Sequence, residues 1–174
     1  KGDITQVDSL IAAAKDHDHV FHLAGLIGYS RALRPAMYEV NVVGTANVIR
    51  ACETNRVPKL FFMSSVTAIG AARSKFDVLD ENSAYNVTDL DLGYFETKRE
   101  AEELVLKAHK KGLVQAYFAN PSTIYGPGDA EKGSRKTQIK VAQGKMPFYT
   151  SGGVGVIHVE DVIHACMKIL EIGK

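Results

Sequence analysis

Two residues with acid–base potential, Tyr94 and Lys98, lie four positions apart in the stretch LGYFETKREAEELV, residues 92–105. In a helix this spacing places both side chains on one face. An ammonium group beside a phenol favours the phenolate and lowers the tyrosine pKa, which suits general acid–base chemistry near neutral pH. An ordinary pair on a solvated helix surface has the same spacing, so the stretch alone leaves both interpretations open.

Small and hydroxyl-bearing residues follow three apolar segments that read as buried strands, residues 19–25, 59–65 and 113–122. In an open parallel sheet, ligands bind beyond the carboxyl ends of the strands. A serine after a strand is also typical of a cap or a turn, so the joint placement is the informative feature. It predicts a polar crevice over an apolar floor. The residues at the ends of the three segments and just after them are Ala24, Gly25, Leu26, Ile27 and Gly28; Ser64, Ser65, Val66 and Thr67; and Asn120, Pro121, Ser122 and Thr123.

Asn41 stands among valines in the middle of a predicted helix, three residues before Gly44. Asparagine is a poor residue for a helix interior. Its presence there indicates either a polar task at a site or a buried structural hydrogen bond, and the sequence leaves both open.

The elements that must position these residues alternate between strand and helix periodicity. We predict loops over 73–93 and 125–134, and one domain with a parallel sheet, because long crossovers join the strands. Pro35 suits the first turn of the second helix. The predicted helices cover 7–15, 34–55, 94–111, about 135–143, and Asp161 towards Leu170.

The composition excludes several classes of protein. The 174 residues are 45% hydrophobic and 24% charged, with a net charge of +1, so there is no electrostatic case for nucleic acid or an anionic membrane. No apolar run approaches the roughly 20 residues of a membrane span, and the start has no signal-peptide core. We interpret Cys52 and Cys166 as reduced packing thiols of a cytoplasmic protein, and we expect no metal site.

Seven blocks in order along nearly the whole chain carry a family resemblance: GDIT, VFHLAG, NVVGT, FFMSSVTAIG, YFETK, NPSTIYGPGD and IHVEDV. The chain resembles the extended short-chain dehydrogenases/reductases of the NAD-dependent epimerase/dehydratase superfamily. Within them it is most similar to the dihydroflavonol-4-reductase-like and 3β-hydroxysteroid-dehydrogenase-like branch. A lone YxxxK is a weak signal, whereas seven ordered blocks are a specific one. The implied fold is a Rossmann-like, doubly wound parallel sheet.

The resemblance implies a role for each matching residue. Tyr94 would be the catalytic acid/base, Lys98 would lower its pKa, Ser65 would hold the substrate carbonyl, and Asn41 would support the proton relay. The implied reaction is hydride transfer between NAD or NADP and a carbonyl or alcohol carbon. The implied cofactor-binding residues are Asp3, Ile4, Ala24, Gly25, Ser64, Tyr94, Lys98, Pro121 and Ser122. The implied substrate-side residues are Ile27, Tyr29, Val66 and Thr67.

The chain departs from the family pattern because it has no glycine-rich GxxGxxG loop. We therefore expect an interior fragment that lacks the first βαβ unit and the C-terminal part of the substrate lobe. Residues 1 to about 125 would form the core of a partial dinucleotide-binding domain, and about 126–174 would include the start of the substrate region. Cofactor binding by these residues alone is expected to be weak or absent.

A second departure concerns the substrate. Nucleotide-sugar enzymes of the superfamily usually carry an arginine just before the IHVEDV block, and this chain reads GVGVIHVEDV. This favours a small apolar or aromatic substrate, although Arg31 and Arg34 keep an anionic one open. We interpret His158 and Asp161 as structural, with Asp161 as a helix N-cap.

Three functions compete. An NAD(P)-dependent oxidoreductase leads, a nucleotide-sugar epimerase or dehydratase with the same Ser-Tyr-Lys set is the alternative, and a non-catalytic dinucleotide sensor is the third. Retention of Ser65, Tyr94 and Lys98 argues against the sensor. In the family, long helices such as 34–55 and 94–111 often form a two-fold interface, so a homodimer is expected.

Overall fold

The protein is built on a three-stranded parallel sheet. The computed structural model describes residues 2–128, 133–148 and 151–173. The strand order is β1-β2-β3, with Phe21 opposite Phe61 and Phe61 opposite Tyr117. Parallel strands joined by helical crossovers confirm the predicted α/β class. The strands are β1 His19–His22, β2 Lys59–Met63 and β3 Gln115–Ala119.

The central strand explains why an apolar run becomes a strand at this position. Leu60, Phe61 and Phe62 of β2 are each 1% exposed or less, so both faces of the strand are covered. A strand buried on both faces needs a continuous apolar stretch, because no alternation with polar residues is tolerated.

Helices α1 Val7–Ala14 and α4 Gly93–Lys110 lie close to their predicted bounds. The predicted helix 34–55 is continuous but changes its winding. It runs as α2 Arg34–Tyr38, a π-helical segment Glu39–Val43, and α3 Gly44–Asn55. A π-helical turn inserts one extra residue per turn and frequently marks a functional site.

The main core lies between the sheet and the buried stripes of α3 and α4. In α4 the buried apolar positions recur at three- and four-residue spacing, as expected for an amphipathic helix. The opposite face of α4 is rich in Glu and Lys and is exposed to solvent. The core residues are Ala14, Val48, Ala51, Cys52, Val57, Leu60, Phe62, Ala101, Val105, Ala108, Val114 and Ala116.

The chain divides into two compact units, and the second comprises Pro121–Ile172. It contains β4 Thr123–Tyr125 and β5 Val156–His158, which pair in parallel with Ile124 opposite Ile157. The sequence did not predict these strands, because three-residue segments give too little periodicity. The predicted loop 125–134 therefore begins inside a strand, and its residues 129–132 lie outside the described ones.

The last two helices are α5 Gly133–Ala142 and α6 Val159–Ile172. The prediction that Asp161 caps α6 is wrong, since the helix begins two residues earlier and Asp161 lies in its first turn. His158 is placed to cap instead, because its Nδ1 accepts a hydrogen bond from the Glu160 amide at 3.3 Å. No helix in the described part of the chain is long and apolar enough to cross a membrane.

Candidate active site

Ser65 and Tyr94 meet at the carboxyl end of β2. Ser65 follows the strand by two residues and accepts a hydrogen bond from the Thr67 amide at 3.2 Å, which fixes a turn. Tyr94 is the second residue of α4. Burial raises the pKa of the Tyr94 phenol above its usual value of 10.0, and hydrogen bonding with the Ser65 side chain acts in the opposite direction. The two hydroxyls are thus neighbours, as a shared substrate oxygen would require.

Lys98 is buried beneath the same edge. Its Nζ donates a hydrogen bond to the Met63 carbonyl at 2.8 Å and lies 4.7 Å from the centre of the Phe62 ring. Desolvation lowers the pKa of Lys98 to about 8, although the Glu102 carboxylate raises it. Cation–π contact and one carbonyl only partly replace the water that an ammonium loses on burial.

Burial governs the pKa of Tyr94 in this structure, and the expectation that Lys98 lowers this pKa stays a prediction. The pKa of Tyr94 is raised, and the interaction that opposes the shift comes from Ser65. Helical spacing put the two side chains on one face, but the Lys98 ammonium is directed to the Met63 carbonyl. The long lysine side chain reaches the carbonyl of Met63 in β2. The spacing of residues within a helix cannot predict a partner on another element.

Asn41 lies at the centre of the π-helical segment and is 2% exposed. Its Oδ1 accepts from the Leu26 amide at 2.7 Å, and its Nδ2 donates to the Leu26 carbonyl at 3.0 Å. The same Nδ2 donates to Thr97 Oγ1 at 3.0 Å. Asn41 therefore joins the loop after β1 to the helix that carries Tyr94 and Lys98.

The predicted cofactor-binding residues after β1 are exposed beside this amide. A Cβ atom on Gly25 would lie 3.5 Å from Asn41 Oδ1, and Ala24 is also exposed. Asp3 and Ile4 lie in the turn that precedes α1. Asp3 Oδ1 accepts from Thr5, which holds the pKa of that carboxyl below its usual value.

Ile4, which precedes α1, packs against Gly44 of α3. A Cβ on Gly44 would lie 2.8 Å from Ile4 Cγ1, so only glycine permits this approach. The Ile4 carbonyl also accepts from Asn47 Nδ2 at 3.1 Å. The contacts explain how Ile4 is held, and its part in adenine binding stays a prediction.

Ser64 and Thr67 carry hydroxyls without a protein partner. Both oxygens are buried and form no hydrogen bond within the described structure. A buried unpaired hydroxyl is unfavourable by roughly 1–3 kcal/mol, and such groups at a site are typical partners for a ligand. The predicted contacts are between Ser64 and the cofactor and between Thr67 and the substrate. The unpaired hydroxyls of both residues are available to hydrogen-bond a polar ligand at this edge.

The substrate-side residues Ile27, Tyr29 and Val66 are 61%, 86% and 38% exposed. Tyr29 lies near Tyr94, and a charge on Tyr29 would raise the pKa of Tyr94. A cavity of about 60 Å³ lies beside these tyrosines. That volume is far below the roughly 300–1,000 Å³ of a ligand pocket, so it forms at most one corner of a substrate site. Residues that line it are Gly28, Tyr29, Ser30, Arg31, Arg34, Met37, Asp91, Leu92, Gly93, Tyr94 and Phe95.

Arg31 and Arg34, the two arginines that left an anionic substrate possible in the sequence analysis, form ion pairs within the protein. Arg34 Nη2 contacts Asp91 Oδ1 at 2.6 Å and Glu96 Oε2 at 2.9 Å. Arg31 contacts the other Asp91 oxygen at 3.2 Å. Two positive and two negative groups cancel, so the site has no net positive charge from this cluster.

Pro121 and Ser122 begin the second compact unit, directly before β4. A Cβ on Gly155 would lie 3.1 Å from Ser122 Cβ, so Ser122 packs closely within that unit. Their proposed contact with the nicotinamide stays a prediction.

Sequence reasoning missed a buried polar chain beneath the site. His22 Nε2 contacts Thr45 Oγ1 at 2.8 Å, and Thr45 donates to the Asn41 carbonyl. Thr97 links Asn41 to the Tyr94 carbonyl, to which it donates at 3.0 Å. The available signal was the presence of threonines at buried positions of helices, where they can bond to backbone carbonyls.

A parallel sheet with Ser65, Tyr94, Lys98 and Asn41 gathered at the carboxyl ends of its strands defines the class of short-chain dehydrogenases/reductases. The chain belongs to the 3-beta hydroxysteroid dehydrogenase/isomerase family, whose family model matches residues 1–171. This membership confirms the resemblance that the seven sequence blocks indicated.

Individual relatives agree with the assignment. The chain is similar to a 3beta-hydroxysteroid-dehydrogenase/decarboxylase isoform 2 from Arabidopsis thaliana, with 31% identity over 94% of this chain and 29% of the relative. The solved structure of gox2253 has a TM-score of 0.89 at 30% identity, covering 99% of this chain and 52% of that one. MoeE5 in complex with UDP-glucose and NAD has a TM-score of 0.77 at 26% identity, covering 99% and 58%.

These likenesses confirm the Rossmann-like fold class. The chain spans less than half the length of the curated relatives it matches, and about half of the solved structures. This agrees with the expectation that it is part of a longer dehydrogenase-type chain.

Proposed function

We propose that the full-length protein is an NAD(P)-dependent oxidoreductase that interconverts a carbonyl and an alcohol on a small apolar or aromatic substrate. The observation that carries the proposal is the adjacency of Ser65 and Tyr94 above buried Lys98. Two hydroxyls that reach one substrate oxygen provide the proton and the polarising hydrogen bond that a hydride transfer needs.

The residues present fit a nicotinamide dinucleotide. Ala24 and Gly25 leave an exposed backbone stretch without bulk at the sheet edge, where an extended ligand can approach. The Ser64 hydroxyl is buried with no protein partner. Lys98 has three donors, and its hydrogen bond to Met63 uses one. We propose that Ser64, Lys98 and the Ala24–Gly25 backbone hold the nicotinamide half of the cofactor.

The chain's own residues would act as follows. A nicotinamide cofactor bound by these residues would supply the hydride chemistry. Tyr94 Oη donates a proton to the substrate oxygen during reduction, and the raised pKa of Tyr94 keeps it protonated beforehand. Ser65 Oγ holds the same oxygen and polarises the carbonyl. Lys98, with a pKa of about 8, supplies positive charge that stabilises the Tyr94 phenolate as it forms.

Pairing of the arginines supports a neutral substrate. Arg31 and Arg34 are neutralised by Asp91 and Glu96, and the exposed side chains on the substrate side include Ile27, Tyr29 and Val66. Apolar surface of this kind at a site favours apolar or aromatic ligands.

The test uses the full-length protein with a panel of aromatic and aliphatic alcohols, each supplied with NAD⁺ or NADP⁺. We expect net formation of reduced nicotinamide, followed at its absorbance band, with one of the two cofactors. Fluorescence titration with NADH and NADPH then identifies the preferred cofactor. Tight cofactor binding with no net reduction on any alcohol, and no oxidation of reduced cofactor by the matching ketones, would contradict the proposal.

A nucleotide-sugar epimerase or dehydratase is the alternative, supported by the likeness to MoeE5, whose solved structure contains UDP-glucose and NAD. Such an enzyme would use the cofactor transiently. Conversion of a nucleotide sugar without net change in added cofactor would establish it and replace the oxidoreductase proposal.

A further inference from the structure

We propose that Arg34 is a positioning residue that holds the first turn of α4 and thereby places the Tyr94 phenol; this inference rests on the proposed function. Helix α4 begins at Gly93, and its N-cap residue Leu92 makes no side-chain capping hydrogen bond. Uncapped helix ends leave amide groups unsatisfied and fray readily. Tyr94 sits in this turn, so its position depends on whatever holds the turn from outside.

Arg34 contacts the chain on both sides of Tyr94. Its Nη2 lies 2.6 Å from Asp91 Oδ1 and 2.9 Å from Glu96 Oε2. Asp91 precedes Tyr94 by three residues and Glu96 follows it by two. One guanidinium nitrogen therefore ties the entry to the helix and the first helical turn to a single point.

The stem of Arg34 packs directly against the residue before Tyr94. A Cβ on Gly93 would lie 3.0 Å from Arg34 Nε and 3.3 Å from Arg34 Cγ. Glycine at this position permits the approach, so the arginine is in contact with the backbone as well as with the two carboxylates.

Arg34 is itself attached to a fixed element. It opens α2, followed by Pro35, and Met37 of the same helix is 2% exposed. The helix continues into the segment where Asn41 bonds Thr97 of α4. The two helices are thus joined at the level of Tyr94 by Arg34 and one turn further on by Asn41.

The expected effect is local. The side chains of Arg34 and Glu96 are each 37% exposed, and ion pairs at such exposure contribute little to global stability. Geometry at a reacting group is more sensitive, because a shift of about 1 Å can lower a rate by as much as 100-fold. Loss of Arg34 should therefore affect turnover far more than folding.

The experiment compares R34Q and R34K with the control R73Q in the full-length protein. Arg73 pairs with Asp89 at 3.1 Å in the preceding loop and offers a matched loss of charge. For R34Q we expect faster amide hydrogen exchange in residues 91–97, at least about tenfold lower kcat, and KM within about twofold. R34K should recover part of kcat because it retains one charge contact, and R73Q should match the wild type.

A double-mutant cycle of R34Q and E96Q adds a second test. We expect the two losses of kcat to be less than multiplicative, since both remove one interaction. Unchanged exchange over 91–97 in R34Q would overturn the inference, as would an increase in KM with kcat unchanged, which would make Arg34 a substrate-binding residue. Absence of turnover in the wild type would contradict the proposed function alone, because the exchange measurement tests positioning independently.

Discussion

The side-chain amide of Asn41 donates a hydrogen bond across 3.0 Å to the hydroxyl of Thr97, which is 56 residues away in the sequence. Thr97 directly precedes Lys98 and donates to the Tyr94 carbonyl. The π-helical winding over Glu39–Val43 includes Asn41 at its centre. One polar pair therefore connects the irregular segment of one helix with the proposed catalytic face of the next.

Replacing Asn41 with alanine should destabilise the fold by about 2–4 kcal/mol, because the Leu26 amide and carbonyl and the Thr97 hydroxyl would lose their partner. The control N47A removes a single hydrogen bond, to the Ile4 carbonyl, and should cost about 1 kcal/mol. Urea denaturation measures both. Equal losses for the two variants would show that the Asn41 network contributes nothing beyond an ordinary hydrogen bond.

Replacing Tyr94 with phenylalanine should lower kcat by about 10²–10⁴-fold in the full-length protein, since the general acid is removed while the ring still fills its place. Cofactor affinity should stay within about threefold. The control is Y38F. The Tyr38 hydroxyl donates to Glu100 at 3.1 Å, on a more exposed part of the contact between α2 and α4. Y94F with wild-type kcat would remove Tyr94 from the reaction.

Lys98 should carry a stability cost at neutral pH. Its folded-state pKa of about 8 lies below the ordinary 10.5, so the unfolded chain binds the proton more tightly. The cost is fully present below pH 8, and stability recovers as pH rises from about 8 to 10.5. The shift corresponds to roughly 3 kcal/mol. After the lost Met63 hydrogen bond is subtracted, K98M should gain about 1–2 kcal/mol at pH 7.

Thermal or urea unfolding of K98M checks this, with K107M at an exposed position of α4 as the control. The same variant should lose turnover, so stability and activity move in opposite directions. A destabilised K98M at pH 7 would show that the contacts with Met63 and Phe62 outweigh the desolvation of the ammonium.

His22 should make the protein sensitive to mild acid. Burial, with the Lys98 charge as a second cause, lowers the pKa of His22 from 6.5 to about 4. The unfolded chain takes up this proton first, so stability is complete above about pH 6.5 and falls by up to roughly 3 kcal/mol as pH decreases to about 4. H22Q keeps a group that can bond Thr45 and should flatten this slope.

The measurement is the free energy of unfolding of the wild type and H22Q between pH 7 and 4. The variant H19Q, at an exposed position of the same strand, should retain the wild-type slope. Parallel pH profiles for the wild type and H22Q would mean that His22 is not the group responsible.

The sequence by itself determined the elements whose signals are local. The apolar run at Leu60, Phe61 and Phe62 predicted a buried strand because both of its faces are covered, and the periodicity of α4 predicted its buried stripe. It also determined which residue types stand at the ends of the strands. The alternation of strands and helices predicts a parallel sheet, in which the carboxyl ends of the strands lie at one edge. Those residues carried the family resemblance that the comparisons confirmed.

Tertiary structure decided which partner each of these side chains has. Lys98 bonds Met63, which is 35 residues distant, and Arg34 pairs with Asp91, which is 57 residues distant. Burial in the folded protein raises the pKa of Tyr94, and Asp91 and Glu96 neutralise the two arginines. Local patterns specify the position of a residue on its helix or strand. The burial and the electrostatic environment of its functional group depend on which distant residues the fold brings into contact with it.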